Sequence, residues 1–210
     1  LNIDEANLRK GECGKLARKA VAQELSRERI LDEARQLFIE HGYHALTMRS
    51  IAKAMGYSHG ALYYHFKEKA ELFYALVTDD FNMLLERQRE MLSRTRLGDL
   101  AQLERLMLEF VRFGLENPNH YEIMFMIKDP ELQRYSRTEQ AQSLDLFATV
   151  VRAVVAKQPM SEKKMYSLPW SLFMSLHGFI SYNIHYNQAY EDVKKLAESH
   201  VKYLCEGLRG

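Results

Sequence analysis

Apolar residues recur at three- and four-residue spacing along almost the whole chain, with no useful run of strict alternation, so the pattern predicts an all-α protein. Leu16 to His41 reads as one long first helix, with Ile30, Ala34, Leu37, Phe38 and His41 on one face. Gly42 is placed to end it as a left-handed cap. Thr47 is placed to cap a short second helix that turns Ile51, Ala52 and Met55 inward and Arg49, Ser50 and Lys53 outward. It stops at Gly56. Ser58 then caps a third short helix, His59 to Phe66, in which Leu62 and Phe66 share a face while His59, Gly60, Tyr63 and Tyr64 look outward. Two short helices flanking a glycine-containing tight turn outline a helix-turn-helix.

The periodicity continues beyond it. A fourth helix is predicted from Glu68 to Arg94, and a fifth from Asp99 to Glu116 with Leu103, Leu106, Met107, Phe110 and Gly114 aligned. Asn117 and Pro118 read as cap and first position of a short helix carrying Tyr121, Met124 and Phe125. Thr138 to Lys157 is amphipathic and stops near Pro159. Trp170 to Tyr186 is apolar nearly all round, which predicts burial on several sides. Tyr190 to Leu208 carries a one-sided stripe that includes Val193, Leu196, Ala197, His200, Val201 and Leu204. The stretch Met165 to Tyr190 has no Asp, Glu, Lys or Arg. Its proline, serines, histidines and asparagines nevertheless make it too polar for a spanning helix, so no membrane partner is expected.

Length and charge refine this picture. A chain of 210 residues divides into an N-terminal extension or arm (1–22), a helix-turn-helix domain (23–70) and a helical-bundle domain (71–210). The net charge of +1 conceals an asymmetry: residues 1–70 carry 12 Lys/Arg against 9 Asp/Glu, so the remainder is net acidic. A mildly basic N-terminal third points toward a polyanion there. Arg9, Lys10, Lys15, Arg18 and Lys19 fit either an arm along the minor groove or a solvated leader. Cys13 and Cys205 have no metal-ligand or disulfide spacing, and the first residues do not read as a signal peptide. The expected place is a bacterial cytoplasm, associated with the nucleoid, with no metal and no cofactor.

The string from Ile30 to Leu72, ILDEARQLFIEHGYHALTMRSIAKAMGYSHGALYYHFKEKAEL, closely resembles the DNA-binding domain of the tetracycline-repressor (TetR) family. NPNHYEIMF and the His177-Gly178 pair resemble one branch of its C-terminal domains. The resemblance implies that Thr47 and Arg49 open a helix against the DNA backbone. It places Ser58, His59, Gly60 and Ala61 at base edges, Tyr63, His65 and Lys69 at phosphates, and Tyr64 against sugar or base. Glu68 departs from the family's small polar cap residue. Independently, His59 can donate to or accept from a base edge, Ala61 can touch a thymine methyl, and Tyr63, His65 and Lys69 offer donors to phosphates. Taken alone, the two tyrosines would equally fit amphipathic packing.

In the second domain, Met107, Phe110, Phe113, Met124 and Phe125, with Phe147, Trp170, Phe173, Met174 and His177, are the candidates for an apolar effector pocket. Most of them are expected to be ordinary core. Phe179, Tyr182, Val193, Leu196, His200, Val201 and Leu204 are candidates for a homodimer interface made by the last two long helices. The expected function is a homodimeric, sequence-specific regulator, by family habit a repressor, bound to a near-palindromic DNA operator and released by a small apolar or amphipathic effector. An architectural DNA binder without effector, and an all-α small-molecule or haem-binding protein with a vestigial DNA module, are the alternatives. No nucleophile–base pair or phosphate loop suggests an enzyme.

Overall fold

A computed structural model describes residues 24–93, 98–128, 130–156 and 158–208. The regular elements among them are all helical. The expected arm at residues 1–22, and Cys13 within it, lie outside the described residues. The chain divides into two compact units at Leu72/Phe73.

In the first unit, α1 (Arg27–Ala45) starts later than its periodicity suggests, because residues 24–26 are not helical. Ser26 is extended, and its Oγ accepts the Arg29 amide at 3.3 Å, satisfying one of the free donors of the first turn. Gly42 breaks the helix with φ 74° and ψ 168°. That is the extended positive-φ region, open essentially to glycine alone, rather than the left-handed helical cap expected. Next, α2 (Met48–Ala54) opens with a reciprocal box. Thr47 Oγ1 accepts the Ser50 amide and Ser50 Oγ accepts the Thr47 amide, both at 2.9 Å. Gly56, at φ 74°, makes the turn into α3 (His59–His65). Ile30, Ala34, Leu46, Ile51, Leu62 and Phe66 are buried in this unit.

The fourth helix, α4 (Lys69–Ser93), starts one residue later than expected, and the expected end at Arg94 lies outside the described residues. Glu68 needs no cap of its own. The carboxylate of Glu71 takes the Lys67 amide at 2.7 Å, placing a negative group at the positive end of the helix.

The second unit contains α5 (Leu100–Glu116), capped by Asp99, and α6 (Pro118–Tyr121), which runs directly into a wider π-type turn at Glu122–Met126. The long helices α7 (Pro130–Val155), α8 (Glu162–His185) and α9 (Tyr190–Glu206) follow. α5 is central and packs on α7, α8 and α9. Two helix starts differ from expectation. α7 begins at Pro130 rather than Thr138, with proline at the first position, where no amide donor is missed. α8 begins at Glu162 rather than Trp170, capped by Ser161, and carries Pro169 in its interior. An interior proline costs about 3 kcal/mol; the buried side chains of Leu172, Leu176 and Ile180 offset that here.

The expectation that the Trp170–Tyr186 stretch is buried on several sides is not met. Leu172, Leu176, Ile180 and Ile184 face the core, whereas Trp170, Met174, Tyr182 and Tyr186 are exposed. Apolar composition all round this helix therefore does not mean burial all round it in the single chain.

The α5–α8 crossing depends on Gly114. A Cβ there would stand 2.6 Å from Ile180 Cγ2 and 3.1 Å from the Tyr121 ring. Ile180 is β-branched and has little rotamer freedom with which to yield. Gly114→Ala gains about 1 kcal/mol of helix propensity, against about 1–3 kcal/mol for overpacking. Gly114→Val adds more bulk without more propensity, and should lower the denaturant midpoint further than Gly114→Ala with an unchanged slope.

Candidate nucleic-acid interface and effector cavity

The helix-turn-helix presents one polar face. His59, Gly60, Tyr63 and Tyr64 are exposed, Tyr64 at 89%, because Leu62 and Phe66 hold the opposite side of α3 at zero exposure. The rings of His59 and Tyr63 meet edge to face at 4.8 Å, so their orientations are linked. Ala61 and His65 are half-buried, and Ser58 stands at the cap position without a side-chain cap bond, its hydroxyl exposed.

Thr47 and Arg49 are both exposed at the start of α2, as are Lys53 and Lys67 nearby. Lys69 differs. Its ammonium donates to the Tyr43 carbonyl at 2.9 Å and lies 3.7 Å from the centre of the Tyr43 ring, which fastens the start of α4 to the segment after Gly42. A residue with no sequence-level role, Arg27, does comparable work. Its guanidinium covers the Phe66 ring at 4.0 Å, donates to the His65 carbonyl and lies 4.0 Å from Glu71. Arg27 thus closes the end of α3.

Within the second unit, a cavity of about 460 Å³ lies between α7 and α8. Phe125, Trp170, Phe173, Met174 and His177 of the expected pocket line it. Met107, Phe110, Phe113, Met124 and Phe147 do not line this cavity; all five are buried. The sequence reading missed the α7 wall, where Arg137, Gln140, Leu144, Asp145, Ala148 and Arg152 line the cavity. Their spacing follows one helical face, a signal hidden by its mixed polarity. Deep in the wall, the Tyr121 hydroxyl lies 2.7 Å from His177 Nδ1. Burial pushes the Tyr121 phenol well above its ordinary pKa and moves His177 below its own, so both are neutral near pH 7.

The interface candidates separate into three groups. Tyr182 and Leu196 are exposed, at 64% and 59%. Val193 and Val201 are buried: with Ala197 and Cys205 they form the stripe by which α9 packs inward. Phe179 and His200 are half-buried and stack on each other at 5.2 Å, and Ser175 Oγ lies 3.1 Å from His200 Nε2. Leu204 is half-buried. No helix among the described residues is long and apolar enough to cross a membrane, and no His/Cys/Asp/Glu cluster there could hold a metal.

Residues 30–76 match the family described as bacterial regulatory proteins, tetR family, and residues 103–204 match the tetracyclin repressor-like C-terminal domain. Among characterised relatives, the chain is 37% identical over 99 residues to the HTH-type transcriptional repressor AcnR of Corynebacterium glutamicum, covering 47% of this chain and 45% of the relative. It is 35% identical over 89 residues to the HTH-type transcriptional regulator UidR of Escherichia coli, covering 42% and 45%. The matched stretches thus span about half the length of these relatives. Of solved structures, FadR of Bacillus subtilis in complex with stearoyl-CoA superposes with a TM-score of 0.73 at 18% identity, covering 87% of this chain and 99% of that one. FadR of Bacillus halodurans, a fatty acid degradation regulator, gives 0.74 at 19%, covering 89% and 99%. Likeness at that identity establishes the fold alone. Two profile matches in chain order, on a helix-turn-helix followed by a helical bundle, make this chain a member of the TetR family of bacterial regulatory proteins.

Proposed function

We propose that the protein is a homodimeric, sequence-specific DNA-binding transcriptional repressor, released from a near-palindromic operator by a small apolar or amphipathic effector. The observation that carries this reading is the α2–α3 unit, opened by the Thr47–Ser50 box, with His59, Tyr63 and Tyr64 on its outward face and the exposed Arg49 beside it. In such a module the leading turn of the second helix enters the major groove, where donor and acceptor patterns distinguish all four base pairs. His59, Gly60 and Ala61 stand at that turn. Arg49, Tyr63 and the segment around Lys69 supply phosphate contacts that fix register without reading sequence.

The effector half rests on the α7–α8 cavity, whose size suits a small organic ligand. That a structural neighbour was solved with stearoyl-CoA supports an amphipathic occupant. α4 runs unbroken from Lys69 to Ser93 and so includes residues of both units, which suits it to carry a change from one to the other. Near-complete release requires the ligand to prefer the DNA-incompetent state by about 5.5 kcal/mol.

Selection of bound duplexes from a random pool tests the reading, followed by titrations of two variants on the selected duplex. Arg49→Ala should weaken binding to every duplex alike and reduce the log–log salt slope by about 0.9, the loss of one phosphate contact. His59→Ala should instead reorder preference among duplexes, by about 1–3 kcal/mol at the contacted pair. A uniform loss from His59→Ala would refute base reading there. Absence of any selected sequence would favour an architectural binder.

A further inference from the structure

We propose, building on the effector reading of the α7–α8 cavity, that His177 presents a fixed N–H to that cavity, which thereby selects an elongated apolar carboxylate. The tautomer follows from Tyr121. That side chain has zero exposure, and among the described residues the one hydrogen-bond partner of its hydroxyl is His177 Nδ1 at 2.7 Å. A buried hydroxyl proton without an acceptor costs about 1–3 kcal/mol, so the phenol donates and Nδ1 accepts. The proton of the neutral imidazole is then on Nε2. Stacking against Phe173, with 9° between the ring planes, keeps the imidazole in the cavity wall.

The remaining polar groups are arranged along the cavity's length. Arg137 and Arg152 both line it, fifteen residues apart on one helix, which is roughly 22 Å. α7 and α8 are consecutive, joined by a short connection, and packed together. Arg152 and Tyr166 share a second hollow with Met160 and Met165, which fixes one end of the pair. Arg137 and Gln140 are therefore at the His177 end. Gln140 commits its amide nitrogen to the Met124 carbonyl at 2.6 Å and to Ser136 Oγ at 3.2 Å. Between the ends, Leu144, Ala148, Phe173 and Trp170 offer an apolar wall, with Asp145 the one acidic lining residue among the described ones. An oxygen acceptor is thus served by an N–H and a cation at one end, with a long apolar track leading away. A carboxylate fits that end; an ammonium does not.

Trp170 is the single tryptophan of the chain and lines the cavity, so its fluorescence reports occupancy. The full-length protein would be titrated with dodecanoate, dodecanol and dodecylamine, which share a chain and differ in the head. Dodecanoate should bind at least about tenfold more tightly than the amine. Arg137→Gln, and separately the double variant His177→Phe/Tyr121→Phe, should each remove about tenfold of dodecanoate affinity and clearly less of dodecanol's, whose neutral oxygen accepts more weakly. The double variant keeps an aromatic ring at both positions and removes both polar partners together, so neither is left buried without the other. Imidazole ¹⁵N shifts of the unliganded protein should show His177 protonated on Nε2.

Protonation on Nδ1, equal binding of the amine, no binding of any probe, or loss through Arg152→Gln in place of Arg137→Gln would each overturn the proposal. Displacement of the selected duplex is read in parallel. Dodecanoate that binds through His177 without releasing DNA would sustain the ligand class and sink the effector reading. A compound that occupies the cavity and releases DNA regardless of His177 would do the reverse.

Discussion

Arginine placed at both Tyr182 and Leu196 should split the proposed homodimer and abolish nearly all specific DNA affinity with it. Both side chains are exposed in the protomer, at 64% and 59%. They belong to a wider set, since Tyr186 at the end of α8 and Tyr203 on α9 are also exposed. Large apolar side chains clustered on two adjacent helices mark an interaction surface, and a symmetric pair of helices from each copy gives a closed four-helix interface. Two buried guanidinium pairs facing each other across a two-fold axis would not be tolerated there. A half-operator offers half the contacts, and specific complexes are typically about 10³–10⁷ tighter than non-specific ones. The expected loss is therefore of order a thousandfold or more on the selected duplex. Sedimentation at micromolar concentration should show a monomer with an undiminished helical signal, because neither position contributes to the protomer's core. A variant that remains dimeric would assign the interface to another face, and a wild-type monomer would remove it altogether.

Legibility of this fold in the sequence tracked the range of the interactions involved. The helix-turn-helix was readable because its determinants are local. Thr47 and Ser50 close their box within four residues, Gly56 must turn, and Leu62 and Phe66 are forced to one side by a 3.6-residue period. What was not legible depended on partners distant in the chain. Met107, Phe110 and Phe113 look like pocket residues by composition, and only the packing of α5 against α7, α8 and α9 decides that they are enclosed. The cavity's α7 wall is a mixed face of Arg137, Gln140, Leu144 and Asp145, which periodicity reads as a solvated surface. Val193 and Leu196 belong to one apolar stripe in sequence, yet three residues of rotation place one in the core and the other outside. The Tyr121–His177 bond spans 56 residues and left no mark that a local pattern could reveal.

Phe66→Ala should have the largest effect on stability and should confine it to the first unit. Phe66 has zero exposure and joins Leu62 in the core of that unit, and the Arg27 guanidinium lies 4.0 Å from its ring centre. Truncation of a buried phenylalanine costs about 3–5 kcal/mol. A unit whose core is built from α1 to α3 and the first turn of α4 buries proportionally less surface than a large domain, and its margin is correspondingly small. The loss is thus comparable to a whole small domain's stability of about 5–15 kcal/mol. Arg27 would also lose the ring it covers, while its contacts to the His65 carbonyl and Glu71 have no reason to persist once α3 frays. Two melting steps are expected in place of one, the first carrying the signal of residues before Leu72 and the second unchanged. DNA binding should vanish with the first step. Binding at the cavity, followed through Trp170, should persist to the second, because every residue that lines it lies beyond Phe73. Phe66→Leu, which keeps most of the buried volume, should restore a single transition and most of the DNA affinity. Loss of the cavity signal together with the first step would instead show that the two units fold as one, and the division at Leu72/Phe73 would then be one of contacts and not of stability.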